Sequence, residues 1–232
     1  MVTFSVFAEA VGKPEIGTAL GTLLTSVLVA VFASNAASKL MRLGEATGAL
    51  GASLSAFGFI MLGASILFRS IGLLFLWYLS SNPVFALGGS MLLIAGFVGE
   101  ALGAAVVAVG VLYATGYSRL AGIWMVSAVF ASLAATVYAA LHGNFVYFVM
   151  INTVVEAPSF LAAASPFHES WRRGNEADEP AFLGFLVGTV APIAASVAAN
   201  FGVAAAMLVA NLVLLVALLY ISSWAREVLH PR

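Results

Sequence analysis

Residues 46–117, ATGALGASLSAFGFIMLGASILFRSIGLLFLWYLSSNPVFALGGSMLLIAGFVGEALGAAVVAVGVLYATGY, decide the fold. A membrane helix needs about 20 apolar residues, so this run must turn at least once inside or beside the bilayer. Ser80-Ser81-Asn82-Pro83 carries the chemistry for that turn. Trp77 and Tyr78 just before it suit an interfacial aromatic belt. A division into three spans would need turns near Arg69 and within Ile94–Gly99. The second of these would leave backbone groups unpaired in lipid, which is costly. The reading is therefore two long helices, Leu54–Ser80 and Val84–Tyr113. Each is about 40 Å long at 1.5 Å per residue and spans the bilayer with some tilt.

Five further spans flank this pair: Ile16–Ser38, closed by Lys39 and Arg42; Leu120–Leu141, opened by Arg119; Phe145–Ala164; Ala181–Asn200; and Val203–Trp224. Residues 165–180 form the one substantial polar segment, expected as a cytoplasmic loop. The fold class is thus all-α, a polytopic transmembrane bundle forming a single domain over residues 1–232. Hydrophobic residues make up 62% of the chain and charged ones 8%, which leaves little for any extramembrane domain. Pro14 and Glu15 suit a helix start. The first fifteen residues lack the basic n-region of a cleavable signal.

Charge sets the orientation. Seven spans put Lys39, Arg42, Arg119, Arg172, Arg173, Arg226 and Arg232 on one side and Lys13 on the other. The positive-inside rule then places the N-terminus outside and the C-terminus in the cytoplasm, for a multi-pass protein of the plasma membrane. An eight-span alternative, with an extra turn near Arg69, satisfies the rule almost as well.

Several function classes fall away. A net charge of −1 offers no basic patch for nucleic acid. Cysteine is absent, which removes thiolate metal sites and iron–sulfur clusters; no cofactor and no metal is expected. The topology is similar to that of the microbial retinal proteins, and the likeness stops there. Their chromophore needs a lysine in the last helix, whereas the lysines here are Lys13 and Lys39.

The ionisable residues within apolar spans carry the remaining signal, because such groups are expensive in lipid. Across a hairpin turning at Pro83, Arg69 and Glu100 fall at depths about six residues apart, roughly 9 Å. Their long side chains can cover that distance, so an ion pair is expected. Gly96, Gly103 and Gly110, with Gly99, give the third span a small-residue face that draws Glu100 inward. Glu156 lies mid-span with Asn152 and Ser159 nearby and Pro158 as a helix break. With no basic neighbour in sequence, it is expected to stay protonated near neutrality. Pro192 breaks the sixth span beside Thr189, Ser196 and Asn200, and Asn211 sits near the centre of the seventh.

These residues frame three functional readings. The first is a small permease or proton/ion-coupled transporter using Glu100, Glu156, Arg69, Asn152 and Asn211 as its binding groups. The second is a non-catalytic subunit packing against partner helices of a membrane complex, or against its own copies. The third, an intramembrane acid/base enzyme, lacks a recognisable nucleophile. The lipid bilayer is the one partner common to all three.

Overall fold

The computed structural model describes residues 14–142, 145–199 and 202–229, without the side chains of 139–142 and 145–152. It is all-helical among the described residues. In chain order the helices are α1 (Ile16–Thr47), α2 (Leu50–Tyr78), α3 (Pro83–Ala114), α4 (Ser118–His142), α5 (Phe145–Arg172), α6 (Glu179–Ala198) and α7 (Val203–Leu229). A 3-10 turn, Glu176–Asp178, leads into α6. Six of the seven helices, all but α5, hold stretches long and apolar enough to cross a membrane, judged over the described residues. Their outer faces are greasy: Leu20, Leu24, Phe130, Val190 and Leu219 are all exposed. A surface of that kind is stable against lipid and not against water.

The long apolar run folds as two helices joined at 79–82. Asn82 caps α3 by accepting a hydrogen bond from the Val84 amide at 2.9 Å, with Pro83 in the first turn. Other boundaries differ from the sequence reading. α1 continues nine residues past Ser38, through Lys39 and Arg42, and ends only at Gly48, whose φ of 68° no other residue adopts cheaply. α2 accordingly starts at Leu50, before the expected Leu54. The first half of the expected loop 165–180 is helix, because α5 runs through Pro166 to Arg172. The Ser165 hydroxyl donates to the Ala162 carbonyl at 2.9 Å, satisfying the acceptor that Pro166 cannot serve. α7 likewise runs past Trp224 to Leu229. Hydropathy marks where a chain leaves lipid, whereas a helix stops where its backbone must leave helical geometry.

Six helices close a ring in the order α1–α2–α3–α5–α6–α7 and back to α1; α4 packs outside it against α3 and α5. The tightest seam joins α2 to α3. A Cβ on Gly96 would stand 2.7 Å from the Arg69 amide nitrogen, and one on Gly103 would stand 2.8 Å from that of Leu62. The α2 side contributes its own small residues: a Cβ on Gly58 would stand 2.6 Å from the Val107 nitrogen. Gly51, Gly58 and Gly72 of α2 thus face Gly110, Gly103 and Gly89 of α3 in antiparallel register. Small residues at heptad intervals on both helices allow backbone contact along the whole seam.

Side-chain hydrogen bonds tie several elements together at one end of the ring. Trp224 of α7 donates its indole N–H to Asp178 at 3.0 Å, and the Tyr117 hydroxyl reaches Glu169 at 3.4 Å. The α3–α4 turn, the α5–α6 link and the end of α7 therefore share one end of the bundle. Cysteines placed at Asn175 and Glu227 should react together with an impermeant thiol reagent in sealed vesicles, and from one side only. Opposite accessibility would overturn this arrangement.

Candidate functional site

Three ionisable side chains converge in the ring interior: Arg69 from α2, Glu100 from α3 and Glu156 from α5, each 5% exposed or less. Arg69 forms an ion pair with Glu100 through Nη1. The seam makes this possible, because Gly96 lets the Arg69 backbone lie against α3 and Glu100 projects one turn further on. Nη2 of Arg69 donates to the Asn211 carbonyl oxygen at 3.0 Å, and the guanidinium lies over the Phe97 ring, 5.2 Å from its centroid.

Asn211 passes the network to α1. Its amide nitrogen donates to Ser26 Oγ at 2.8 Å and to Thr25 Oγ1 at 3.2 Å. Ser26 spends its own proton on the Thr22 carbonyl at 2.8 Å. The contact between Ser26 and Ser70, 2.5 Å, therefore runs from the Ser70 hydroxyl. Thr22, Thr25, Ser26 and Ser70 were not singled out in the sequence. Three hydroxyls within five residues of a span that carries no charge were the available signal.

Glu156 faces Arg69 and Glu100 across a small chamber of about 20 Å³ that Phe97, Phe160 and Pro192 also line. That is room for one water-sized particle. Its Oε1 is buried and makes no hydrogen bond, and neither does Nε of Arg69 on the same chamber. The sequence showed no basic residue near Glu156; the fold supplies one, for both Arg69 and Glu100 act on it electrostatically. Counting formal charges, one guanidinium faces two carboxylates. The cluster is neutral when one proton is bound and carries a single negative charge when none is.

The other expected residues divide. Pro192 lines the chamber, and its carbonyl accepts from Thr153 Oγ1 at 3.0 Å, while Ser196 meets the same hydroxyl at 2.5 Å. Thr153 thereby ties α5 to α6 where both helices carry a proline. Ser159 does not join Glu156: it accepts from the Trp124 indole at 3.1 Å and so faces α4. Thr189 bonds back to the Phe185 carbonyl of its own helix. Pro158 lies within α5, half-buried, and is not among the residues lining the chamber. The Asn152 side chain and Asn200 lie outside the described residues. No three His, Asp or Glu side chains gather to hold a metal among the described residues.

The triad makes a specific energetic demand. Glu100→Gln alone leaves Glu156 able to ionise and serve as counter-ion, so its cost should be modest. Glu100→Gln with Glu156→Gln strands Arg69 and should cost about 3–5 kcal/mol, the usual loss when a buried charge is uncompensated. Adding Arg69→Met should recover most of it. Equilibrium unfolding in detergent checks this, and strictly additive losses would show that the three do not share a charge balance.

No family model, no curated protein and no solved structure matches this chain, so the reading of the site stands on its own geometry.

Proposed function

We propose that this protein is a small membrane carrier whose transport cycle is coupled to one proton, or one monovalent cation, at Glu156. One observation carries the reading: a second carboxylate, unbonded through Oε1, faces an ion pair that is already complete without it. A purely structural Arg–Glu lock needs no such group, and an unpartnered buried carboxyl is costly to keep. A group that loads and unloads a charge needs just this arrangement. The flanking helices suit movement, since Pro192 interrupts the hydrogen-bond ladder of α6 at the chamber and Pro158 that of α5 two residues after Glu156. In this reading all seven helices cross the plasma membrane, with the C-terminus in the cytoplasm. The described cations other than Arg69, namely Lys39, Arg42, Arg119, Arg172, Arg173 and Arg226, support that orientation by position in the chain.

A second reading, a subunit that docks on partner helices or on its own copies, draws on α4. Ile123, Val126, Phe130, Leu133 and Val137 of this peripheral helix are all more than half exposed. Their spacing alternates three and four residues, the pattern of a helix-packing seam.

Wild-type protein in proteoliposomes should take up protons when the external medium is acidified, as reported by an internal pH-sensitive dye. Glu156→Gln, a mimic of the protonated acid, should fold normally and lose that uptake by at least tenfold. Wild-type behaviour in the Gln variant would sink the coupling role. Native mass spectrometry showing a constant heteromeric or homomeric assembly would then move the subunit reading ahead.

A further inference from the structure

A second cavity, of about 350 Å³, occupies the ring interior at the end where α1, α3, α5 and α7 terminate. Six helices wall it, all but α4, with Leu43, Val111, Phe167, Phe185, Ile221 and Trp224 among the lining side chains. Its size falls in the range of small-molecule sites. Three hydroxyl residues also line it, and each has already spent its proton on a backbone carbonyl. Thr47 donates to Leu43 at 2.7 Å, Ser55 to Val107 at 3.3 Å and Thr115 to Val111 at 2.9 Å. The Trp224 indole N–H is engaged by Asp178. No lining side chain keeps a free donor, and none is charged.

That lining selects by exclusion. A sugar, carboxylate or phosphate would surrender its hydration and find no free side-chain donor, at a cost of about 1–3 kcal/mol for each unpaired polar group on protein scales. A cation would find no carboxylate. An uncharged hydrocarbon group loses nothing and gains about 25 cal/mol per Å² of apolar area covered. Thr47, Ala114 and Thr115 on its rim are exposed, so the cavity opens at this end of the ring and a small solute can enter there. Between the cavity and the triad stands an aromatic column: Phe167 stacks on Phe185 at 5.6 Å and Phe185 on Phe59 at 6.5 Å. Phe160, buried beside them, borders the triad chamber. From Phe167 to Glu156 is eleven residues of α5, about 16 Å of helix.

We infer that this vestibule binds a compact, uncharged apolar molecule, of single-ring aromatic or short aliphatic size, and that this is the class of solute carried. The assignment of the solute as cargo rests on the carrier reading above; the binding site does not. The test uses purified protein in phosphatidylcholine nanodiscs and an uncharged aryl diazirine, photolysed and mapped by peptide sequencing. Labelling at Leu43 and Ile221 should saturate and fall at least tenfold with excess toluene, while glucose leaves it unchanged. Labelling of lipid-facing Phe130 should not saturate, which provides the internal reference. Ala52→Leu, which fills the cavity, and Thr47→Leu at its exposed rim should each weaken vestibule labelling several-fold. Labelling at Ile221 that tracks Phe130 without saturation, or that glucose displaces, or that both filling variants leave intact, overturns the site. Saturable labelling without proton uptake overturns the carrier reading alone, whereas proton uptake without saturable labelling overturns this inference alone.

Discussion

Arg69 is the constraint around which the ring is organised. A guanidinium cannot be neutralised by losing its proton at any physiological pH, so burial at 2% exposure obliges the protein to surround it. Glu100 supplies the counter-charge, Asn211 a hydrogen bond and Phe97 a π face. Polar contacts between membrane helices are worth on the order of 0.6 kcal/mol each, while leaving a buried charge unpaired costs several times that. The charge pairing therefore dominates, and the hydroxyls of α1 refine the position of Asn211.

The ion pair depends in turn on small residues. Glycines facing one another across the α2–α3 seam bring the two backbones into contact, so that Glu100 reaches the guanidinium from the adjacent turn. A methyl group at Gly96 would strike the Arg69 backbone and push the carboxylate away. Packing and electrostatics are thus one design: the seam contributes little polarity of its own, yet it fixes where the charges meet.

In the carrier reading, α5 and α6 are the half of the ring that moves against the α2–α3 seam. Each carries an internal proline, the Thr153 hydroxyl bonds across between them, and Glu156 enters the chamber from this side. In that reading, a carboxyl on the moving half facing an ion pair on the other would give proton binding a direct mechanical consequence. Neutral, it can approach the Arg69–Glu100 pair without penalty; ionised, it is repelled by Glu100 and drawn by Arg69. The aromatic column of Phe59, Phe185 and Phe167 lies where such movement would open or close the way to the vestibule.

The sequence by itself determined the helical class, the turn at Ser80–Pro83 and the meeting of Arg69 with Glu100. These follow from local rules: hydropathy, turn chemistry, and depth counted along two helices joined by a short loop. It misjudged where α1 and α5 end, because lipid boundaries and helix ends obey different physics. Only the tertiary structure brought Glu156 of α5 to the pair, linked Asn211 to Ser26 and turned Ser159 away toward Trp124. Those contacts join helices far apart in the chain, and their geometry depends on which helices are neighbours in the ring and how each is rotated. Near-uniform apolar spans with no strongly polar face carry almost no record of that rotation, so it is set by the packing of the whole bundle.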